Sequence, residues 1–392
     1  MPDRERPEHG PYLRRGRSAA VVLLLAGTVG AVFALAPPPR SSNSTTPAPT
    51  PSGSGSASPA ITAPATPPGS AAALPDDAGP PELPYLELDG GTLDERNQLL
   101  IQNMQRSLHL DDAQVSAVRA IFAASTDGWI GQGNPTVTVH PLSRAECLER
   151  RARAPHLAAA DARCGSPNMV PLYDPSVGET AAGARACIDQ FEFPNIACEY
   201  PVVWVRANEA EDLCHALGKR LCDAHEWEGA CAGAVKPPET EYPFNPRRIQ
   251  MAYDHNLARE IVWAYGKEKN HALCATGSQK SKTCPLPSFR GCGSNDYPAG
   301  AFPECVSPLG VYDQHGNAAE HMNFPRKLEE LGSRGGSGET EMKGSWFIFA
   351  QGEAHIDDCR WRAPDWHVTK VSDKNSHRNY HLGFRCCRDL PK

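Results

Sequence analysis

The sequence lacks the cysteine spacings and the charge balance of several common protein classes. None of its 14 cysteines precedes Cys147 and no two are spaced Cys-x-x-Cys, which disfavours zinc ribbons, thioredoxin-like redox sites and c-type haem attachment. The chain has 39 Lys and Arg against 46 Asp and Glu. It therefore has no net attraction for phosphate, and a nucleic-acid partner is not expected. No glycine-rich phosphate loop and no linked Ser/His/Asp set stands out either.

An apolar N-terminal segment indicates export. Arginines at positions 14, 15 and 17 precede residues 18–36, which carry no charge and are just long enough to cross the hydrocarbon layer as a helix. Residues 34–36 have the small-x-small form of a signal-peptidase site, but Pro37 follows, and proline there usually blocks cleavage. We therefore predict a single-pass signal anchor at 18–36, with residues 1–17 cytoplasmic and the remainder periplasmic or extracellular. A removed signal peptide is the alternative.

Residues 37–84 form a compositionally distinct segment. They include 14 prolines, many Ser, Thr, Ala and Gly, and no aromatic residue. Such a segment cannot bury enough apolar surface to offset the entropy lost on ordering. We predict a disordered tether, extended by its prolines, that holds the folded part away from the membrane.

Residues 85–165 predict a small helical region. Thr92 with Glu95, and Asp111 with Gln114, have the spacing of capping boxes. The apolar residues that follow each box recur at helical spacing. They are Leu99, Leu100, Met104 and Leu108 in the first segment, and Val115, Val118, Ile121 and Phe122 in the second. We expect a helical hairpin that packs on the main domain, with a protein-binding helix pair as the alternative.

Two further helices are predicted after residue 166. Asn208 and Asp223 are the expected N-caps, because each is followed by a glutamate three residues later. The apolar spacing places Cys214 and Cys231 on the inner faces of these helices. An even, dispersed set of cysteines in an exported chain indicates disulfides, and inward cysteines suit bridges to distant segments.

Seven stretches of the sequence together resemble the formylglycine-generating enzyme family, also called sulfatase-modifying factors. Residues 218–231 (GKRLCDAHEWEGAC) resemble the family's GKRLPTEAEWEYA core. The other stretches follow in the family's order: 169–171 (MVP), 187–195 (CIDQFEFPN), 242–245 (YPFN), 310–320 (GVYDQHGNAAE), 344–346 (GSW) and 382–386 (LGFRC). The resemblance covers roughly residues 166–390. It implies an α+β, C-type-lectin-like sulfatase-modifying-factor fold with few regular elements and several disulfides.

The sequence departs from the family at its catalytic cysteines. Formylglycine-generating enzymes oxidise a substrate cysteine at a copper(I) ion held by two cysteines a few residues beyond the GGS(F/W) motif, and such a soft ion needs two close thiolates. Here Phe347 and Ile348 follow the motif, and Cys359 is the only cysteine between Cys305 and Cys386. Copper is therefore not expected. Ser345 and Trp346, within the motif, are the candidate cleft residues.

The resemblance also implies two disulfides. The family pattern suggests a bridge from Cys231 to Cys359 and another from Cys214 to Cys386. For Cys359 the alternative is a reactive free thiol, which would need a depressed pKa. Cys386 and Cys387 are adjacent, so Cys387 either pairs elsewhere or stays free.

The resemblance implies a structural calcium ion. Asn317 and Glu320 offer side-chain oxygens in a glycine-led turn, the kind of hard ligand that calcium accepts. In the family these positions, with the main-chain carbonyls matching Ala318 and Met322, bind calcium. From the residues alone, an Asn-Gly turn with an exposed glutamate explains the same pattern equally well.

Two functions of different class are consistent with the sequence. The first is a membrane-anchored, non-catalytic recognition module for a peptide, protein or glycan of the cell envelope. The second is an oxidoreductase of the formylglycine-generating or related nonheme iron type, acting on exported protein or peptide substrates. For an iron site, the candidate ligands are His355, His367, His377 and His381 with Asp357 or Asp358.

Overall fold

Short helices and strands are separated by long loops, which follows from the many Gly, Pro and Asn residues of the sequence. The structure is a computed structural model that describes residues 85–87, 90–125, 129–154, 161–241, 244–284, 289–332, 338–363 and 369–391. The predicted cytoplasmic segment 1–17, anchor 18–36 and tether 37–84 lie outside these ranges. No helix in the described ranges has the length and apolarity needed to cross a membrane.

The helices begin and end largely at the residues that their capping signals predict. In the described ranges they are α1 (Leu93–Leu108), α2 (Asp112–Ala124), α3 (Arg144–Ala152), α4 (Ala207–Ala216), α5 (Ala224–Ala232), α6 (Pro238–Glu241) and α7 (Arg248–Ala258). Capping boxes at Thr92, Asp111 and Asp223 open α1, α2 and α5. Gly233 ends α5 with a φ of 81°, a left-handed conformation that favours glycine.

The predicted start of α4 is wrong. We expected Asn208 as its N-cap, but α4 begins at Ala207 and Asn208 lies in its first turn. Glu209 accepts a hydrogen bond from the main-chain N–H of Arg206 at 2.8 Å. Glu209, two residues before Glu211, therefore satisfies the free N–H at the helix entry.

Two small sheets form the centre of the domain. The strands are β1 (Met169–Leu172), β2 (Ala186–Asp189), β3 (Arg220–Leu221), β4 (Ala319–Asn323), β5 (Glu339–Lys343), β6 (Thr369–Lys370), β7 (Leu382–Phe384) and β8 (Cys386–Asp389). The first sheet has the order β1-β2-β8-β3 and its pairs are antiparallel. The second has the order β6-β5-β4-β7, in which only β4 and β7 are parallel. The mixed α+β architecture agrees with the predicted fold class.

The helical hairpin α1–α2 packs on the domain. Its buried residues, among them Met104, Val118 and Phe122, share one hydrophobic core with Leu213 of α4 and Phe384 of β7. The apolar stripes read from the sequence therefore face the domain.

Seven disulfides pair all 14 cysteines. The bridges are 147–198, 164–187, 214–386, 222–387, 231–359, 274–305 and 284–292. The pairs Cys214–Cys386 and Cys231–Cys359 are the two that the resemblance implies, and Cys387 finds its partner in Cys222. A bridge between distant segments restricts the unfolded chain, so these bonds support a fold with little regular structure.

Arg385 joins the two sheets. It is the single residue between β7 and β8, and its side chain is fully buried. Its guanidinium donates to both carboxylate oxygens of Glu320 on β4, at 2.7 and 2.6 Å. It also donates to the carbonyls of Asp189, Gln190 and Tyr312 at 3.0–3.3 Å. One side chain thus satisfies three main-chain carbonyls, one of them at the end of β2, and neutralises a buried carboxylate.

Replacing Arg385 should destabilise the protein strongly. In Arg385→Met the buried charge of Glu320 loses its partner, which costs about 3–5 kcal/mol in comparable sites. Urea unfolding of the disulfide-intact protein measures the change. Arg153→Met is the control, because the Arg153–Glu149 pair is 79% and 68% exposed and should contribute nothing measurable. Equal unfolding midpoints for the two variants would contradict this account.

Candidate binding site

A cleft of about 890 Å³ opens between two loop segments of the domain. One wall is formed by residues 262–266 with Ala272 and Leu273, and the opposite wall by residues within 301–308. Trp263, Tyr265 and Phe302 present half-buried aromatic rings to it. A concave, mainly apolar surface with a few polar groups is typical of a ligand site.

Arginines lie at the rim of the cleft. Arg150 of α3 and Arg153 just beyond it both line the cleft and are exposed. The guanidinium carbon of Arg150 lies 5.5 Å from the ring centroid of Phe302. Arg153 is paired with Glu149 at 3.3 Å, but both side chains are largely solvated. The rim thus offers two guanidinium groups beside an aromatic surface, together with the exposed carboxylate of Glu304.

Covalent and main-chain bonds hold the two walls. The disulfide Cys274–Cys305 links the segment after Leu273 to the opposite wall. The carbonyl of Val262 accepts a hydrogen bond from the N–H of Cys359 at 2.8 Å. Trp263 and Gly266 exchange main-chain hydrogen bonds at 2.8 and 3.0 Å, which fixes a tight turn. A preformed wall reduces the entropy lost on binding.

A buried histidine, His315, lies directly behind the wall that residues 262–266 form. The Nε2 atom of His315 accepts the N–H of Ala264 at 3.0 Å and lies 3.3 Å from Sγ of Cys231 and 3.7 Å from Sγ of Cys359. The edge of the His315 ring meets the ring of Tyr265, with centroids 5.5 Å apart. Burial lowers the pKa of His315 to about 4, against the opposing effect of the Asp357 charge. The imidazole is therefore neutral at physiological pH.

Asp357 holds the same wall in place through hydrogen bonds from side chains. It accepts hydrogen bonds from Oγ of Ser345 at 2.8 Å, Nε2 of His271 at 3.1 Å and Nε1 of Trp263 at 3.3 Å. Burial alone would raise its pKa. The hydrogen bonds from His271 and Ser345 and the nearby imidazoles oppose burial, and together they hold the pKa of Asp357 well below its ordinary value. The carboxylate is thus an ionised, fully engaged structural acceptor.

The candidate cleft residues Ser345 and Trp346 are buried and do not line this cleft. Ser345 is fully buried, and its Oγ accepts the N–H of Gly316 at 2.9 Å while it donates to Asp357. Trp346 is 3% exposed and stacks on His381 with centroids 4.0 Å apart. Neither is among the residues that line the cleft. Ser345 supports the cleft wall through Asp357.

The predicted calcium ligands already have protein donors. The side-chain carbonyl oxygen of Asn317 accepts the N–H of Tyr297 at 2.8 Å, and its side-chain amide donates to Glu192 at 2.6 Å. Both oxygens of Glu320 accept from Arg385. Ala318 donates its N–H to Glu192, and Met322 lies within β4. Glu320 is fully buried, so the alternative of an exposed glutamate is wrong. As arranged, these residues do not fit a calcium ion, and the ion remains a prediction of the resemblance alone.

The candidate iron ligands are not brought together in the described residues. His355 stacks against Trp361, and His381 stacks against Trp346. Asp358 is paired with Arg259 at 2.7 Å. The residue groups with metal-ligand proximity in the described ranges contain none of these histidines, and His367 lies outside those ranges.

The residues that build the cleft carry no distinguishing signal in the sequence. Trp263, Tyr265 and Phe302 lie in loops without helical or strand periodicity, so no pattern separates them from other exposed aromatics. His315 could have been noted, because it lies inside the recognised 310–320 stretch. Its proximity to Cys231 and Cys359 depends on contacts between residues 84 and 44 positions away along the chain.

The sequence places the protein in a known class, the sulfatase-modifying-factor type of domain, and the structure gives this domain a mixed α+β architecture. Residues 180–390 match the family described as "Sulfatase-modifying factor enzyme 1-like domain". This match spans more than half of the 392 residues, and the chain belongs to that family.

Similar solved structures include CarF, which is 14% identical, with 57% of this chain and 97% of that chain covered and a TM-score of 0.30. Another is Treponema denticola variable protein 1, also 14% identical, with 55% and 74% covered and a TM-score of 0.27. A search of curated proteins finds no match to the sequence.

Removing the charge of Asp357 should destabilise the domain. In Asp357→Asn the N–H group of the new side-chain amide faces side chains that are themselves hydrogen-bond donors. We expect the free energy of unfolding at pH 7 to fall by roughly 2–3 kcal/mol. Unfolded aspartate ionises near 3.8 and the folded carboxyl at a lower pH. The stabilisation is therefore fully present above pH ~3.8, and it is lost as the pH falls from there toward the pKa of the folded carboxyl. Denaturant unfolding at several pH values should show the two proteins converging below pH ~4.

Asp161→Asn is the control for this variant, since Asp161 forms a partly exposed local pair with Arg163. A difference between wild type and Asp357→Asn that stays constant down to acid pH would contradict the charge-based explanation.

Calcium should leave the stability of the protein unchanged. The oxygens of Asn317 and Glu320 would have to give up buried donors, including Arg385, before they could bind the ion. We expect equal thermal unfolding midpoints in calcium chloride and in a chelator. A midpoint that rises with calcium in the wild type but not in Asn317→Ala would instead establish the family's calcium site here.

Proposed function

We propose that the protein is an extracytoplasmic recognition module that binds a peptide segment of an envelope protein in the cleft. On this proposal residues 18–36 anchor it in the membrane, and residues 37–84 carry the domain away from the bilayer. The apolar run preceded by arginines and the proline-rich composition of the tether support that arrangement.

The disulfide-bonded state of the cysteines favours a binding function over an oxidase function. All 14 cysteines are in disulfides, whereas copper(I) chemistry of the family type needs two free thiolates close together. Phe347 is fully buried in a hydrophobic cluster against which Ile348 packs. The segment that would supply a copper ligand instead supplies core side chains.

The chemistry of the cleft favours a peptide with an apolar or aromatic side chain next to an acidic group. The half-buried rings of Trp263, Tyr265 and Phe302 offer apolar contact area that is already held in place. Arg150 and Arg153 at the rim can pair with a carboxylate, which a neutral glycan lacks. Rim charges mainly steer association, while buried rings contribute most of the affinity.

Two measurements on the full-length protein test the proposal. First, a Cys-x-Pro-x-Arg peptide with copper or iron(II) supplied should show neither oxygen consumption nor a mass shift. Second, a peptide selected from a displayed random library should carry an aromatic residue beside Asp or Glu and should bind in calorimetry. Trp263→Ala should weaken that peptide at least tenfold, a loss of about 1.4 kcal/mol, because a central aromatic contact is removed.

Leu257→Ala is the matched control, since Leu257 is 71% exposed on α7 and outside the cleft. Arg150→Glu should weaken binding mainly at low salt, as expected for a rim charge. Turnover of the cysteine peptide would overturn the proposal. Equal losses in Trp263→Ala and Leu257→Ala would move the binding site elsewhere.

A further inference from the structure

Three potential metal ligands converge behind the cleft wall. The Sγ atoms of Cys231 and Cys359 and one ring nitrogen of His315 all lie within 4.8 Å of one another. The three residues are fully buried, and they come from α5, the 310–320 stretch and the loop after β5. The tertiary fold, not local sequence, therefore creates the cluster.

The ring nitrogen that faces the sulfurs carries a lone pair. Nε2 of His315 accepts the N–H of Ala264, so its own proton is absent and the tautomer has its hydrogen on Nδ1. In the disulfide neither sulfur has a hydrogen to donate to this nitrogen. Nε2, whose lone pair the N–H of Ala264 engages, also lies 3.3 and 3.7 Å from two sulfur atoms that become ligands as soon as the bridge opens.

We propose that Cys231, Cys359 and His315 form a redox-gated site for a zinc-class divalent cation, empty while the disulfide is closed and competent once it is reduced. Two thiolates and one imidazole are a ligand set that zinc accepts with tetrahedral geometry, leaving a fourth position for water or a ligand. The site is distinct from the cleft, and the proposal does not depend on peptide binding there.

Binding of an ion would have one identifiable cost in hydrogen bonds. Ala264 now uses the lone pair of Nε2, so the ion would displace that one main-chain hydrogen bond.

Opening the site is a two-electron reduction. A dithiol reductant attacks the bridge and becomes a cyclic disulfide, and Cys231 and Cys359 take up two electrons and two protons to become thiols. Zinc binding then releases the two thiol protons to solvent. The cleft wall should respond, because Cys359 donates its N–H to Val262 and Ala232, next to Cys231, lines the cleft.

The test uses graded reduction of the full-length protein under anaerobic conditions, with the dithiol removed before zinc is added. Alkylation and mass mapping identify which bridges have opened, and competition with a chromophoric chelator measures zinc. We expect one equivalent of tightly held zinc when Cys231 and Cys359 are reduced. Cobalt(II) in its place should show a thiolate-to-cobalt charge-transfer band.

Matched variants separate this site from ordinary thiols. The double variant Cys231→Ser/Cys359→Ser should lose the tightly held zinc and the cobalt band. Cys164→Ser/Cys187→Ser should keep the zinc and the cobalt band, because these two cysteines do not lie in a cluster of possible metal ligands. His315→Gln should weaken zinc at least tenfold while the thiols remain reducible, and should shift the cobalt spectrum.

Three results would overturn the proposal. One is a Cys231–Cys359 bridge that stays closed under reduction that opens the other six. Another is equal zinc binding in the two double variants. The third is His315→Gln with unchanged zinc affinity and cobalt spectrum. Because none of these measurements uses a peptide, each outcome is separable from failure of the recognition function.

Discussion

The buried ion pair between Arg385 and Glu320 is the interaction on which the architecture depends. The two sheets contribute strands that are only two to five residues long, too short to define a common core by pairing alone. Arg385 lies between β7 of one sheet and β8 of the other, and it binds the carboxylate of Glu320 on β4, the carbonyl of Asp189 at the end of β2 and the carbonyl of Tyr312 in a loop. Trp227 of α5 donates to the same carboxylate at 3.1 Å. Both sheets and a helix are therefore held to one pair of opposite charges.

A second buried charge network extends this arrangement toward the cleft. Glu228 of α5 accepts from Lys343 at 2.6 Å and from Arg362 at 2.7 Å, and all three are buried. Burial would raise the pKa of Glu228, but the two cations outweigh it and hold that pKa well below its usual range. Lys343 ends β5 just before Ser345, and Arg362 follows Cys359. The network thus fixes both chain segments that support Asp357 and the cleft wall.

The parts of the fold predicted from the sequence are those specified by nearby residues. The capping boxes of α1, α2 and α5 and the inward direction of Cys214 and Cys231 each depend on residues a few positions apart, and the structure has them. The start of α4 was misplaced because Glu209 and Glu211 offer competing registers only two residues apart. The family motifs indicated the fold, since they occur in order over most of the domain.

The candidate site was less predictable because its contacts are long-range. Trp263 meets Asp357, and Ala264 meets His315, across 94 and 51 positions of the chain. The calcium expectation treated the oxygens of Asn317 and Glu320 as available. Nothing in the local sequence shows that Glu192 and Arg385 bind them, because those partners lie 125 and 65 positions away.

The cysteine pattern distinguishes this chain from the copper-site pattern of the family that its sequence resembles. Copper(I) held by two cysteines requires that both thiols remain unpaired in the folded state. Here Cys359 forms a bridge with Cys231, and Phe347 occupies the core near the motif. In an oxidising compartment each additional cysteine also tends to pair. The bridge links the chain around Cys359 to α5. Because Cys359 also donates its N–H to Val262, the same bond restricts the motion of the cleft wall.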